Sequence, residues 1–318
     1  PPVKEAQVTV VQPGLETLRK AINNAVSGST LMLETGEYFL EKKIKVTKDI
    51  TIIGDIGGAT IIAANKNIAK PIDYLFRVEE DVTFKLSHVF IDGKNSNLKY
   101  AIVSPDKLQG AGYNLFVDTV VFQNFKNKKG GSVFKAYNGT KADTLSFVNS
   151  RFENNYRGLN LSYDNKNSGM FNANFIIVKN SVFKNIEESA INYVRKIPNN
   201  MISGGDLLVE NCVFYNVDNR EKGKIIKADG IHRVKIVNSV FDNSYKIKTP
   251  IALKGMSQQI SNCLINNSGF IKISQGARKS DLLYKSPKWE DNTLFIPSKK
   301  SVLLKSKNKI ATIGLLQK

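Results

Sequence analysis

Short apolar runs of alternating character recur along the chain, as in LSFVNSRF (145–152), FIIVKNSVF (175–183) and VKIVNSVF (234–241). Each reads as a β-strand running into a turn, and no helical periodicity lies between them. An Asn-small-x-Phe phrase closes the runs at Asn149, Asn180, Asn211 and Asn238, and Asn262 heads the variant ending in Ile265. A second asparagine follows five residues on, at Asn154, Asn185, Asn216, Asn243 and Asn267. Degenerate copies run from Thr119 to Phe122 and from Ser87 to Phe90. The aromatic column therefore reads 90, 122, 152, 183, 214 and 241 and ends at 265, in steps of 24 to 32 residues. Self-similarity at such a period marks an architecture of stacked coils.

One coil of short strands cannot bury its own apolar side chains, whereas a stack buries a continuous column. Asparagines at one position in every coil can form side-chain ladders that satisfy backbone groups at the bends. On these residues the chain resembles the right-handed parallel β-helix of pectate-lyase-like proteins, an all-β fold, over roughly residues 28–310. A leucine-rich repeat would need its L-x-x-L-x-L phrase with a helix in each turn, and that phrase is absent. The expected organisation is a single domain, 1–318, with an N-terminal cap at 1–27, repeat coils at 28–275, and terminal coils and cap at 276–318. The stretch GLETLRKAINNAVS places Leu15, Leu18, Ala21, Ile22, Ala25 and Val26 on one face of an amphipathic helix able to cover the first coil.

With 318 residues and 42% apolar side chains the chain can bury a large core, which argues against disorder. The 46 Lys and Arg outnumber the 28 Asp and Glu, and the net charge of +18 directs attention to polyanionic partners. No apolar run is long enough to cross a bilayer, and the opening PPVKEA lacks the regions of a signal peptide, so a processed or trimmed soluble chain is expected. Two cysteines and two histidines cannot build a zinc cluster of the CxxC type. Cys212 and Cys263 share a column with Ser239 between them, which sets them about 9–10 Å apart at the spacing of strands. That exceeds the ~7 Å reach of a disulfide, so two buried thiols are expected.

Chemistry has to sit on the outside of the stack, on strands that follow the asparagine turn of each coil. These are VFKAYN (133–138), LNLSYDN (159–165), INYVR (191–195), IIKADG (225–230) and IALKG (251–255). Alternation divides Ala190, Asn192 and Val194 from Ile191, Tyr193 and Arg195, and divides Lys227 and Asp229 from Ile226 and Ala228. The polar-ended sets, Tyr193 with Arg195 and Lys227 with Asp229, are read as outward. A core tyrosine and a solvated lysine are the alternatives.

From Asn180 to Gly255 the chain resembles the central coils of β-helical polysaccharide lyases, especially alginate lyases. In the branch that includes chondroitinase B, a strand of the form E-x-E-I-I-x-x-K-S carries a calcium-binding acid pair and a lysine base, and the next coil carries an arginine. Here the strand reads Lys224-Ile225-Ile226-Lys227-Ala228-Asp229, followed by Pro250-Ile251-Ala252-Leu253-Lys254. The acid pair is missing, the lysine position falls on Asp229 and the arginine position on Lys254. A second branch works through a tyrosine and a lysine, which the resemblance assigns to Tyr193 and Lys227.

The activity so implied is β-elimination of a uronate-containing polysaccharide, alginate first, without metal or other cofactor. The reaction needs a base, a partner for the uronate carboxylate and a proton for the leaving oxygen. The catalytic candidates are Tyr193, Lys227 and Arg195. Lys254, Asn192, Asp229, His232 and Lys135 are candidates for binding substrate, with His232 also a second base candidate. His88, in a peripheral coil, is read as structural. Hydrolysis would want paired carboxylates, for which only Asp229 and Asp164 offer themselves. Glu187 and Glu188 are read as a solvated turn rather than a cation site. The resemblance further implies a secreted, periplasmic or cell-surface monomer whose partner is an acidic polysaccharide and not nucleic acid. A non-catalytic glycan-binding β-helix, and a hydrolase or epimerase on the same fold, remain the alternatives.

Overall fold

The computed structural model describes residues 5–67, 70–94, 98–106, 111–137, 139–162, 173–194, 205–266, 272–273, 278–291 and 295–305. Its strands pair in parallel with those one coil before and after, forming three ladders along a parallel β-helix. Face A runs from Val8–Val11 through Ala142–Val148 and Asp206–Glu210 to Arg278–Leu283. Face B contains Phe90–Asp92, Val121–Gln123, Arg151–Glu153, Val182–Ile186, Val213–Val217 and Val240–Asp242. Face C contains Ile44–Val46, Tyr74–Val78, Tyr100–Val103, Ser132–Lys135, Leu159–Ser162 and Ile191–Val194, then residues 226–229 and 251–254.

The repeated asparagines explain why the coils bend where they do. Asn149, Asn180, Asn211, Asn238 and Asn262 all take positive φ between 50° and 54°, a left-handed conformation that asparagine tolerates better than most residues. They form one column at the turn from face A to face B. Their carboxamides bond along the stack, Asn180 Nδ2 donating to Asn149 Oδ1 at 3.1 Å and Asn211 Nδ2 to Asn180 Oδ1 at 3.2 Å. The second column does the same, with Asn216 Nδ2 donating to Asn185 Oδ1 at 2.9 Å. Asn267 lies outside the described residues.

Inside, the aromatic column stacks. Ring centroids separate Phe122, Phe152, Phe183, Phe214 and Phe241 by 5.3, 4.3, 5.0 and 4.8 Å in turn. The first member differs from the expectation by one residue. Phe90 pairs with Val121 and is partly exposed, while Ile91 pairs with Phe122 and is buried. His88, rather than Ser87, takes the left-handed turn position there, with φ 55°.

At the N-terminal end the helix is shorter than its amphipathic stretch, Thr17–Asn24. Leu18 and Ile22 are buried against the first coil, but Leu15 belongs to the preceding strand and is exposed. At the other end Arg278–Leu283 continues the stack. The residues beyond it turn back along the flank, where Phe295 and Leu303 bury themselves against Val182, Val213, Val240 and Leu264 on the outer side of face B. Cys212 and Cys263 are buried free thiols, and the backbone N–H of Cys212 donates to the intervening Ser239 Oγ at 3.2 Å. No helix among the described residues is long and apolar enough to cross a membrane.

Candidate functional site

The register along face C fixes which side chains share its outer surface. One outward file runs Lys45, Arg77, Val103, Lys135, Asn160, Asn192, Lys227 and Ala252, each residue paired with the next one coil away. A second file, two residues further along each strand, contains Val194, Asp229 and Lys254. Inward lie Ile191, Ile226 and Ile251, then Leu161, Tyr193, Ala228 and Leu253.

Two of the catalytic candidates are therefore separated. Lys227 stands outward and exposed as expected. Tyr193 does not: its side chain is 0% exposed, and its hydroxyl donates to the Ala173 carbonyl oxygen at 2.8 Å. The physical reason is a space made for it. Gly205 has φ 89°, and a Cβ there would stand 2.5 Å from the Tyr193 hydroxyl oxygen, so the glycine leaves room for the phenol tip. With ring buried and hydroxyl bonded to backbone, Tyr193 is a core residue with its polar atom satisfied. Arg195 and Asp164 lie outside the described residues.

Lys227, Asp229 and Lys254 come together on the outer surface. Asp229 is two residues along the strand from Lys227 and is the register partner of Lys254 in the next coil. Neither lysine has an ion-pair partner among the described residues, and both are exposed. Asn192, the register partner of Lys227, donates from Nδ2 to Asn160 Oδ1 at 3.3 Å. Its own Oδ1 is buried with no hydrogen-bond partner among the described residues. Lys135, further up the same file, is only 5% exposed and engaged within the protein, so direct contact with a surface ligand is not its role.

Gly230, with φ 72°, lets the chain turn from face C to face A immediately after Asp229. His232 then lies exposed on face A, its Nδ1 3.3 Å from Asp206 Oδ1, while Arg233 donates to Asp206 Oδ2 at 2.5 Å. A histidine oriented by a carboxylate presents its other ring nitrogen to solvent.

The acidic turn between faces B and C is occupied from within. Arg157 donates to both oxygens of Glu188, at 2.8 and 2.9 Å. Burial pushes the Glu188 carboxyl up, but the bonds from Arg157 and Tyr156 outweigh it and hold the group below the usual carboxylate value. Glu188 is thus a salt-bridged turn residue rather than a solvated one, and Glu187 faces Lys128 at 3.9 Å. Among the described residues no three His, Cys, Asp or Glu side chains gather as metal ligands would.

No family model matches the sequence, and no curated protein matches it. Among solved structures the chain is similar to the PL6 family alginate lyase AlyGC, with a TM-score of 0.70 at 19% identity. That match covers 89% of this chain and 41% of the lyase. A mutant of the same enzyme matches with a TM-score of 0.64 at 19% identity, over 90% of this chain and 39% of its own. The tailspike protein of an Acinetobacter baumannii bacteriophage, a capsular polysaccharide depolymerase, aligns more loosely, with a TM-score of 0.45 and 10% identity over 95% of this chain and 64% of its own. The chain is thus a parallel β-helix of the architecture found in PL6 lyases, and it spans about 41% of the length of the lyase it matches.

Proposed function

We propose that the outer surface around Lys227, Asp229 and Lys254 is the cleavage centre of a metal-independent polysaccharide lyase acting on a uronate-containing chain, with alginate the first substrate to test. The observation that carries the reading is the grouping of two exposed lysines, without ion-pair partners among the described residues, around one carboxylate in consecutive coils. A flat face of stacked strands suits an extended sugar chain, and the fold likeness to an alginate lyase supports the same class.

In β-elimination the C5 proton leaves a uronate ring, its electrons form the C4–C5 double bond, and the C4–oxygen bond breaks to release the rest of the chain. Lys254 neutralises the uronate carboxylate, so that charge developing on it in the transition state is stabilised. Lys227, as the free amine, takes the C5 proton and returns it to the departing oxygen, which balances the reaction without another acid. Asp229, the register partner of Lys254 and two residues from Lys227, holds the Lys254 ammonium in place beside the base. Tyr193 has no part in this scheme. An extracellular, periplasmic or cell-surface setting and a monomeric enzyme accompany the reading.

The test is a panel of acidic polysaccharides followed by the ultraviolet absorbance of unsaturated uronate products. Growth of that absorbance on a uronate polymer, abolished by Lys227→Ala, is the expected result. Binding of the polymer with no absorbance would make the chain a glycan-binding protein instead, and release of reducing ends without absorbance would make it a hydrolase.

A further inference from the structure

Five to six coils away from Lys227 along the same outward file, the first coils of face C open into a cleft of about 1100 Å³. Five cations line it, Lys42, Lys43, Lys45, Lys70 and Arg77, with Tyr74 in its wall. We infer that this cleft is a second, separate binding site for a carboxylated polysaccharide. The inference rests on the cleft alone and holds whether or not Lys227 performs chemistry.

The cations fall into two kinds. Arg77 is held by Glu79 at 2.7 Å and by Asp106 at 2.6 Å, and Lys43 pairs with Asp73 at 2.8 Å while lying 4.8 Å from the centre of the Tyr74 ring. These two are fixed in place and largely compensated. Lys42, Lys45 and Lys70 are exposed and have no ion-pair partner among the described residues. Glu41 also lines the cleft, its carboxylate accepting from Asn65 Nδ2 at 2.9 Å, so the three free lysines face one carboxylate. Three ammonium groups against one carboxylate leave the concavity with net positive charge, and a low-dielectric wall concentrates its field. An anion entering the cleft offsets that charge. Lysines spread over the convex faces of the same +18 chain lack this focusing.

The shape of the charge selects the kind of anion. Lys45 stands one strand spacing, about 4.8 Å, from Arg77, which Glu79 and Asp106 already hold. The free charges are therefore those of Lys42, Lys45 and Lys70, separate ammonium groups suited to an anion that carries its carboxylates on successive sugar rings. Single-stranded nucleic acid is bound by stacking its bases on exposed aromatic rings. Tyr74 offers no such ring, being 5% exposed with Lys43 over it. The cleft and Lys227 stand five to six strand spacings apart, roughly 24–29 Å, so a polymer long enough to span them engages both while a short oligomer cannot.

The experiment compares two triple variants with equal loss of charge. Lys42→Ala/Lys45→Ala/Lys70→Ala empties the cleft of its free cations, and Lys235→Ala/Lys285→Ala/Lys299→Ala removes three exposed lysines elsewhere. Binding of long polyuronate, of polyuronate trimer and of a single-stranded DNA oligonucleotide is measured by calorimetry at low and at moderate salt. All proteins carry Lys227→Ala, so that nothing is cleaved, and thermal unfolding confirms that each is folded. The cleft variant is expected to bind the long polymer about tenfold more weakly with a shallower salt dependence, and the control variant to change less than about twofold. Equal weakening in both variants would reduce the cleft to general surface charge and overturn the inference. Tighter binding of the oligonucleotide than of polyuronate, lost in the cleft variant, would overturn it in favour of nucleic acid. The cleavage assay on trimer, with Lys227 intact, reports separately on the lyase reading and should not respond to the cleft variant.

Discussion

The Tyr193 hydroxyl and the Ala173 carbonyl oxygen, twenty residues apart in sequence, are joined by a 2.8 Å hydrogen bond inside the β-helix. That bond commits the residue to the core. Tyr193→Phe should leave turnover within about twofold of the parent while costing about 1–3 kcal/mol of stability, because the buried carbonyl loses its donor. Urea unfolding beside a turnover assay checks both. A hundredfold loss of turnover in a protein of undiminished stability would return Tyr193 to the active site.

Lys227→Ala should lower turnover by about a hundredfold or more, the usual contribution of a positioned proton-transfer group. Lys254→Ala should raise KM as well as lower kcat, since a carboxylate contact is made both before and during reaction. The separate responses of kcat and KM to each substitution are the measurement. If both variants cleave normally, His232→Ala is the next substitution, because Asp206 already orients that ring.

Metal removal offers an independent check. The acid pair of the calcium-assisted lyases is absent from this strand, and Glu188 is engaged by Arg157. Activity should survive exhaustive EDTA treatment. Complete loss that calcium restores would move the site elsewhere on the face.

Glu188 gives the stability a definite acid dependence. Its folded carboxyl titrates below its unfolded value, so the pair with Arg157 contributes fully above about pH 4.5 and is lost as the pH falls through the folded pKa. Glu188→Gln should therefore be less stable than the parent at neutral pH, and the gap should close on acidification below about pH 4.5. Unfolding curves at pH 7 and through the acid range test this, and a gap independent of pH would show that the charge on Glu188 is immaterial.

The buried thiols yield a chemical prediction. Burial, above all, pushes Cys212 and Cys263 up to about 12. Neither should react with a thiol reagent in the native protein at pH 8, and both should react on unfolding. Rapid native labelling would contradict the inward column.

The stack itself was legible because each coil repeats the same local demand: an asparagine tolerant of positive φ, then a large apolar side chain two or three residues on. Where that signal degenerates, at Ser87-His88-Val89-Phe90, the frame slips by one, and only pairing with Val121 and Phe122 corrects it. The sense of the Ile191–Val194 strand was not legible. Its alternation is clear, but a tyrosine fits either face, and the deciding partners, Ala173 and Gly205, come from neighbouring coils. Lys227, Asp229 and Lys254 were legible as outward because charged groups alternate with Ile226, Ala228 and Leu253. The N-terminal cleft was hidden for the opposite reason: Lys42, Lys45, Lys70 and Arg77 are ordinary surface residues until the turns bring two coils together.

A solenoid in which each coil touches only its neighbours can fray from an end, one rung at a time. The returning C-terminal segment removes that freedom at this end. Trp289 donates from Nε1 to Asp242 Oδ2 at 2.9 Å, and with Phe295 and Leu303 it bolts across Val182, Val213, Val240 and Leu264, one from each of four successive rungs. Opening the last of those rungs means stripping this strap from all four, so the strands that carry Lys227 and Lys254 are tied to their neighbours by more than their own ladder bonds.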